Sequence, residues 1–552
     1  MATFLDHVYD HEQRRGDAVW LVQPMGDGSL RELSWRAALD ESRRVASHLL
    51  GLGYPPGSRI AILARNSAWW ILADLAIWMA GHVSVPLYPT TTADTVRTVL
   101  EHSEARAIVV GKLDAYATMA PGIPDGLHRI AMPLAPAAAV ASADARWEDL
   151  VAGNALLAGR ISRPPGDLAT IIYTSGSTGV PKGVMHSFGT MTASFVLAER
   201  TQLGPTDRLF SYLPLAHVYE RACLEVCGFK SGARIYFTDS QDTFVDDIRR
   251  ARPTLFVSVP RLWLKFQQAV LARLPADKLA VMLANPATRD AVRAQVLEGL
   301  GLADVRHAAS GSAAIPGALL EWYRALGLNL FEGYAMTENF CVSHTTYEGE
   351  IRIGYVGRPV AGVEQRLTDD GELFVRSPGT MLGYYKDRAL TDDTLGADGF
   401  LRTGDRGELD DQGRLRITGR AKELFKTSKG KYVAPVPIEN AVMTHEAVEQ
   451  ALVSGANMPQ PYALVVLAES LRPKLGELRA SLDAALREHL ARVNDKLDPH
   501  ERLGRIVVVG EPWSIENGLL TPTLKVRRAV IEARYAGSVD GWYAQPDPVI
   551  WA

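Results

Sequence analysis

Short apolar runs alternate with longer amphipathic segments through the first half of the chain. The runs RIAILAR (59–65), ARAIVVG (105–111), DLATIIYTSG (167–176) and TLFVSVP (254–260) are bounded by glycine, proline or charged residues. Runs of this length are typical of buried strands. Residues 34–52 and 92–102 are amphipathic and predict helices. This alternation predicts an α/β fold with largely parallel sheets, arranged as two α/β subdomains.

The pattern changes from about Gly349. The segments GELFVRS and GRLRITGR alternate apolar and polar residues between glycines, which predicts a small antiparallel β subdomain. A basic stretch follows Arg420 and indicates a domain boundary. We therefore expect a large N-terminal part, residues 1–420, and a smaller, mobile α+β C-terminal domain, residues 421–552. The Ala/Pro-rich residues 131–145 have no clear period and predict a surface linker.

Composition narrows the function classes. Hydrophobic residues make up 47% of the chain and charged residues 22%, as in ordinary soluble proteins. The net charge of -4 gives no reason to expect a nucleic-acid partner. Three cysteines argue against a disulfide framework, and the charged first residues do not resemble a secretory signal, so we expect a cytoplasmic location. The most apolar stretch, residues 68–80, contains Asp74 and predicts a buried helix.

The sharpest local feature is YTSGSTGVPKG, residues 173–183, directly after an apolar strand. Its glycines let the backbone approach a ligand closely, its hydroxyls and N–H groups can donate to an anion, and its lysine supplies a positive charge. It is not a Walker A loop, because Pro181 and Gly183 flank the lysine. The residues predicted to bind phosphate are Thr174, Ser175, Gly176, Ser177, Thr178, Gly179 and Lys182.

This loop resembles the signature of the adenylate-forming (AMP-binding) superfamily, which includes acyl-CoA ligases, peptide-synthetase adenylation domains and luciferases. GYAMTEN, residues 333–339, resembles that family's second core motif, with Ala335 in place of the usual glycine. The resemblance implies that Tyr334 stacks on adenine, that Thr337 touches the α-phosphate and that Glu338, with Thr174, holds Mg²⁺. In the upstream segment SGSAA, Ser312 and Ala313 resemble residues that line the adenine site.

Three further motifs follow in the family's order. The tripeptide Thr403-Gly404-Asp405, which comes after Tyr384-Tyr385-Lys386, resembles a ribose-binding motif in which Asp405 accepts from both hydroxyls. The segment from Gly419 resembles the hinge motif: Arg420 would contact ribose, the C-terminal domain would rotate about Lys422, and Gly430 would line a pantetheine channel. ENGLLTPTLK, residues 516–525, resembles the motif whose lysine, here Lys525, bridges the substrate carboxylate and the α-phosphate.

The segment LPLAHVYER, residues 213–221, resembles long-chain acyl-CoA ligases and places His217 between the acyl and ATP pockets. The resemblance implies ATP, Mg²⁺ and coenzyme A as cofactor or co-substrates and a fatty acid as substrate, long-chain ahead of medium-chain. Because a fatty acid partitions into lipid, such a substrate is compatible with peripheral membrane contact. The sequence does not indicate an oligomeric state. The alternatives are a ligase that loads a carrier-protein phosphopantetheine, a luciferase-type oxygenase, and a non-catalytic acyl- or nucleotide-binding protein.

Overall fold

The computed structural model describes residues 2–175, 181–515, 517–521 and 525–552, without the side chain of Ser175. Four of the residues predicted to bind phosphate, Gly176, Ser177, Thr178 and Gly179, lie outside the described residues, as does Val180 of the same loop. The two strands that flank this loop are described, and they position Lys182.

The first large sheet has eight strands within the described part of the chain. Six neighbouring strands are parallel, and the two at one edge are antiparallel to their neighbours. In spatial order the strands are Gly383–Tyr384, Pro181–Ser187, Leu168–Ser175, Val83–Leu87, Arg59–Leu63, Ala107–Val110, His128–Ala131 and Ala145–Arg146. The phosphate-loop strands therefore lie beside the late strand Gly383–Tyr384.

The second large sheet has nine strands among the described residues and is parallel through its centre. In spatial order they are Arg358–Pro359, His344–Thr345, Leu330–Tyr334, His307–Ser310, Leu255–Ser258, Arg208–Ser211, Arg234–Phe237, Val19–Pro24 and Leu30–Ser34. The carboxyl ends of the strands Leu255–Ser258, His307–Ser310 and Leu330–Tyr334 meet at one edge, the usual place for a ligand in a parallel sheet.

Helices cover both sheets, and side-chain caps begin several of them. Ser34 accepts from the Ala37 amide at 3.2 Å and Thr92 accepts from the Thr95 amide at 3.3 Å, at the starts of the two helices predicted from the sequence. The longer helices of the N-terminal part are Phe4–Arg15, Trp35–Gly51, Ala68–Met79, Ala93–Ser103, Phe244–Ala251, Pro260–Leu271, Ala276–Ala284, Pro286–Gly299 and Gly317–Ala325. The shorter ones are Tyr116–Met119, Ala137–Ala141, Trp147–Gly153, Phe188–Thr192, Phe195–Arg200, Val218–Glu220, Cys227–Ser231 and Arg388–Thr394.

The helix Ala68–Met79 is buried along its whole length, as its uniformly apolar sequence predicts. Its one charged residue, Asp74, pairs with Arg221, which begins a π-helical turn that continues to Val226. The Arg221 guanidinium also lies 3.1 Å from Glu225 and donates to Thr170 Oγ1 at 2.7 Å. Arg221, Asp74 and Glu225 have no solvent-exposed side-chain surface. This buried cluster joins the two α/β subdomains.

A smaller antiparallel sheet follows, with strands Glu364–Leu367, Glu372–Arg376, Leu401–Leu409 and Leu415–Arg420. The C-terminal part has a hairpin, Phe425–Lys426 with Tyr432–Val433, and a mixed sheet. The strands of that sheet are Val448–Ser454, Tyr462–Leu467, Arg505–Val508 and Val549–Trp551, and its helices are Pro435–Val442, Leu475–Asn494, Arg528–Tyr535 and Val539–Ala544. The predicted fold class, including the small β subdomain, is confirmed.

One sequence interpretation needs correction. Residues 131–145 are not a plain linker, because they contain the helix Ala137–Ala141, whose Ala139 is buried, and they lead into the edge strand Ala145–Arg146. The segment is too short and too alanine-rich to show a helical period. None of the helices formed by the described residues combines the length and apolar character needed to cross a membrane.

Candidate active site

Lys182 is held on the strand that leaves the phosphate loop. The strands Leu168–Ser175 and Pro181–Ser187 pair antiparallel, so that Thr174 lies opposite Lys182. The Lys182 ammonium lies 5.8 Å from the centre of the Tyr384 ring, a cation–π contact. Tyr384 reaches this place because its short strand pairs with Pro181–Ser187, with Tyr384 opposite Val184. The pairing thus brings a late segment of the chain to the phosphate loop.

Glu338 lies in a short 3₁₀ turn, Thr337–Asn339, on the other side of Tyr384. The Tyr384 hydroxyl donates to Glu338 Oε1 at 2.7 Å, and the Met381 amide donates to the Glu338 carbonyl at 2.8 Å. Burial, followed by the nearby Glu338 carboxylate, raises the pKa of Tyr384 above its usual value, so this hydroxyl keeps its proton and acts as a donor. Tyr384 therefore contacts both Lys182 and Glu338.

His186 supports the same turn from the phosphate-loop strand. Its Nε2 lies 2.7 Å from the Thr337 carbonyl, and its Nδ1 lies 3.2 Å from Thr190 Oγ1. Burial lowers the pKa of His186 to about 4. A neutral ring carries one proton, and a carbonyl can only accept, so the proton is on Nε2. His186 thereby fixes the backbone next to Glu338.

For the adenylate-forming reaction that the sequence resemblance implies, replacing His186 by alanine is expected to slow pyrophosphate release by about tenfold and to raise the Mg²⁺ concentration needed for half-maximal rate, because the Thr337–Glu338 turn loses its donor. His186→Gln keeps an N–H donor and should recover most of the rate. Steady-state kinetics in a Mg²⁺ series would measure both variants. The control is His500→Ala, a partly exposed histidine of the C-terminal part, and thermal unfolding would check folding. Equal losses in the alanine and glutamine variants would contradict the positioning role.

Asp405 connects the core motif to the end of the β subdomain. Tyr334 donates to Asp405 Oδ2 at 2.6 Å, and Arg420 Nε lies 3.0 Å from Asp405 Oδ1. Asp405 is 5% exposed. The local chain bends because Gly404 has φ +71, a left-handed conformation that favours glycine, and the Asp405 amide donates to Thr403 Oγ1 at 3.1 Å. The carboxylate thus already has two partners, Tyr334 and Arg420.

The segment around Ser312 and Ala313 lies at the carboxyl end of the strand His307–Ser310. Gly311 is buried so closely against Tyr219 that a Cβ atom there would lie 3.2 Å from the ring. Ser312 has φ +68, and Ala313 is exposed. Tyr219 belongs to the helical turn that follows His217. The predicted adenine-lining segment and the His217 segment are therefore packed against each other.

His217 begins this helical turn. The Tyr219 amide donates to His217 Nδ1 at 3.1 Å, and the His217 ring centre lies 6.4 Å from that of Tyr88. Burial, followed by the positive charge of Lys525, lowers the pKa of His217 to about 3. Because Nδ1 accepts, the neutral ring carries its proton on Nε2. His217 is therefore a neutral donor near Lys525.

Four histidines make the stability of the folded chain depend on pH in the same direction. Burial is the largest cause that lowers the pKa to about 4 for His186, His307 and His344 and to about 3 for His217. The unfolded chain binds these protons near the usual pKa of about 6.5, so it takes up more protons than the folded chain as the pH falls below that value. These groups contribute stability that is present above that pH and is lost as the pH falls towards the folded-state values.

Over pH 4.5–6.5 the buried carboxyl groups of Glu220 and Glu332, whose pKa burial raises to about 8, act in the opposite direction. Each of the four histidines should nevertheless lower the free energy of unfolding by about 1.4 kcal/mol per pH unit as the pH falls through this range. The variant His344→Gln, which keeps a polar side chain near Gln365, removes one such group and should show a shallower dependence. Calorimetry across a pH series would measure both proteins. A variant with the same slope as the wild type would contradict the assignment of a lowered pKa to His344.

Lys525 faces this cluster from the C-terminal part. It is an exposed residue, and its backbone amide donates to Thr521 Oγ1 at 3.0 Å. Desolvation by the surrounding protein lowers its pKa, and the positive charge of Arg420 lowers it further, whereas Asp405 and Glu338 raise it. Exposure together with this desolvation describes a side chain in an open cleft. Lys525 therefore lies close enough to Arg420, Asp405 and Glu338 for their charges to act on it.

Lys422 and Gly430 belong to the segment that follows Arg420. Lys422 is exposed in the turn Ala421–Glu423, and Gly430 is exposed, with φ +77, in the turn of the hairpin Phe425–Val433. The turn that carries Lys422 packs against the strand Leu401–Leu409, which contains Asp405. Their predicted roles, in rotation and in the pantetheine channel, stay predictions.

The described residues contain no group of three or more His, Cys, Asp or Glu side chains that could hold a metal ion by themselves. Mg²⁺ does not require such a group, because it is usually held by one or two carboxylates together with phosphates and water. Glu338, beside Lys182 and with one oxygen bonded to Tyr384, provides a carboxylate of this kind. The donor set therefore fits Mg²⁺ bound with a nucleotide.

Comparison with known families agrees with this geometry. The family model described as AMP-binding enzyme matches residues 8–385, and the model of the AMP-binding enzyme C-terminal domain matches residues 423–547. The chain belongs to the AMP-binding enzyme family. Relatives of this AMP-binding enzyme include a long-chain-fatty-acid–CoA ligase of Mycobacterium bovis, 30% identical with 97% of this chain and 96% of the relative covered.

A peroxisomal long chain acyl-CoA synthetase of Arabidopsis thaliana is 31% identical and covers 94% of this chain and 83% of the relative. Among solved structures, the adenylation domain of a carboxylate reductase from Mycobacterium chelonae has a TM-score of 0.82 at 22% identity, with 98% of this AMP-binding enzyme and 91% of that chain covered. This likeness confirms the fold of a large N-terminal part and a smaller C-terminal domain.

Three residues of this AMP-binding enzyme's site could not be identified from the sequence: Tyr384, His186 and Tyr219. In the sequence, Tyr384 only marks the segment before the ribose motif, and its pairing with Val184 joins residues that are 200 positions apart. His186 follows Lys182 by four residues on a strand, which places both side chains on one face of the sheet. That spacing was the one available signal for His186.

Proposed function

We propose that this AMP-binding enzyme activates a fatty acid with ATP and transfers the acyl group to coenzyme A, releasing AMP and pyrophosphate. The observation that carries the proposal is the convergence of Lys182, Glu338, Asp405 and Lys525, from four distant motifs, on one cleft. The long-chain fatty acid ligases among its relatives favour a fatty acid over other carboxylic acids.

In the first half-reaction, an oxygen of the fatty-acid carboxylate attacks the α-phosphorus of ATP. The new P–O bond forms as the bond to pyrophosphate breaks, which leaves an acyl-adenylate. Lys182 and the phosphate loop would hold the β- and γ-phosphates, while Lys525 would lie between the carboxylate and the α-phosphate and offset their negative charges. Glu338 and Thr174 would hold Mg²⁺, which supplies further charge neutralisation at the phosphates.

The other site residues would fix the nucleotide and the acid. Asp405 would accept from the ribose hydroxyls beside Arg420, Tyr334 would contact the adenine, and the backbone of Ser312 and Ala313 would line its edge. Thr337 would donate to the α-phosphate. His217, neutral with its proton on Nε2, would offer a donor near Lys525 where the acyl and phosphate sites meet.

In the second half-reaction, the coenzyme A thiol releases its proton to solvent and its sulfur attacks the acyl carbon. The new C–S bond forms as the C–O bond to AMP breaks, and AMP leaves. The C-terminal domain, residues 421–552, would first rotate about Lys422, removing Lys525 and presenting the Gly430 turn to the pantetheine arm. This rotation is part of the proposal.

The experiment is pyrophosphate release with ATP, Mg²⁺ and fatty acids from short to long, with and without coenzyme A. Release that requires an acid and increases with coenzyme A supports the proposal and gives the preferred chain length. Acid-dependent release that is indifferent to coenzyme A would favour a carrier-protein acceptor instead. Absence of release with every acid would overturn the proposal.

A further inference from the structure

An ion pair joins the two parts of the chain away from the reacting groups. Arg261 follows the proline that begins the helix Pro260–Leu271, directly after a central strand of the nine-stranded sheet. Its Nη2 contacts Oε1 of Glu449, at the start of the C-terminal strand Val448–Ser454. Among the described residues, this is the one ion pair that connects residues 1–420 with residues 421–552.

A second ion pair, within the C-terminal part, fixes the position of the Glu449 side chain. Its second oxygen, Oε2, lies 2.5 Å from Arg472 Nη2, and Arg472 Nε donates to the Leu467 carbonyl at 2.9 Å. The Glu449 side chain is 15% exposed, whereas the Arg261 side chain is 33% exposed. The carboxylate is therefore fixed in place by Arg472, and Arg261 is the partner that the N-terminal part supplies.

The same arrangement of the two parts brings Lys525 close enough to Glu338 and Asp405 for their charges to act on it. Arg261 and Glu449 lie on opposite sides of the proposed hinge at Lys422, so a rotation that removes Lys525 from the cleft also separates this pair. The pair is present in the arrangement that would serve the first half-reaction, and the proposed rotation would break it.

We propose that Arg261 and Glu449 form a latch that holds the C-terminal domain in the arrangement for adenylate formation, which makes Arg261 a positioning residue for Lys525. This inference rests on the proposed function and its two half-reactions. A partly exposed ion pair changes the ratio of two arrangements by a factor of about five at low ionic strength, and salt screens it. Loss of the latch should slow the first half-reaction and spare the second.

The test is Arg261→Gln in the full chain, with the two half-reactions measured separately. Acyl-adenylate formation is followed as single-turnover pyrophosphate release without coenzyme A, and thioester formation is followed from supplied acyl-adenylate and coenzyme A. We expect adenylate formation to slow by up to about fivefold, depending on how far the competent arrangement is depopulated, and thioester formation to be unchanged or faster. Glu449→Gln should slow adenylate formation at least as much, because it also removes the pair with Arg472. The double variant should be no slower than Glu449→Gln, because that single variant already lacks the Arg261–Glu449 pair.

The matched control is Arg293→Gln. Arg293 has the same 33% exposed side chain but pairs with Asp290 within its own subdomain, so both half-reactions should stay at wild-type rates. Raising the salt concentration should slow adenylate formation more in the wild type than in Arg261→Gln, because only the wild type has the Arg261–Glu449 pair to lose. Equal slowing of both half-reactions, or slowing of neither, in a folded Arg261→Gln would overturn the latch while the proposed function stands. A wild type that releases no pyrophosphate with any acid would overturn the proposed function and the latch together.

Discussion

Replacing Lys525 by alanine is expected to slow acyl-adenylate formation by about 10²–10³-fold, while thioester formation from supplied acyl-adenylate stays within about twofold of the wild type. The ammonium lies close enough to Glu338 and Asp405 for their charges to act on it, and it would offset the repulsion between the carboxylate and the α-phosphate. The second half-reaction has no such repulsion. Single-turnover assays of the two half-reactions measure both effects.

Lys496→Ala is the matched control, because this exposed lysine lies on the C-terminal domain outside the cleft described above. It should leave both rates unchanged. A Lys525→Ala protein that loses both half-reactions equally, with an unchanged unfolding midpoint, would contradict the role assigned to this lysine. A protein that keeps full adenylate formation would contradict it as well.

Replacing Arg221 by methionine is expected to lower the free energy of unfolding by about 3–5 kcal/mol. The guanidinium is fully buried and contacts Asp74, Glu225 and Thr170 at the junction of the two α/β subdomains. Without it, two buried carboxyl groups lose their positive partner. Burial already raises the pKa of Asp74 and of Glu225, so the variant should be least destabilised at low pH, where both can be protonated.

Denaturant unfolding at several pH values measures this loss. Arg388→Ala provides the comparison, because its ion pair with Asp392 is exposed and such pairs contribute little, so its change should stay below about 0.5 kcal/mol. Similar changes in the two variants would show that the buried cluster does not hold the subdomains together.

Much of the fold could be predicted because its strands and helices are encoded locally. The apolar runs became the strands Arg59–Leu63, Ala107–Val110, Leu168–Ser175 and Leu255–Ser258, and the fully apolar segment became the buried helix Ala68–Met79. The site residues could be predicted from motifs, because the order of residue types within a motif indicates the function of each position. The structure brings Lys182, Glu338, Asp405 and Lys525 towards one cleft, and their catalytic roles stay predictions.

The contacts between motifs could not be predicted, because they depend on how distant segments pack. Tyr384 joins Lys182 to Glu338 only after its strand pairs beside the phosphate loop. Arg261 meets Glu449 only after two domains dock. The hydrophobic periodicity of one segment does not indicate which side chain of another segment will lie opposite it.

The two contacts of the Asp405 carboxylate should influence the rates of nucleotide binding. Its two oxygens are already engaged by Tyr334 and Arg420, so the carboxylate and the tyrosine ring have little rotational freedom left to lose. A nucleotide whose ribose fits these fixed side chains would bind without a slow rearrangement of the ribose-binding residues. Differences in affinity among nucleotide analogues should then appear mainly in their dissociation rates, with similar association rates.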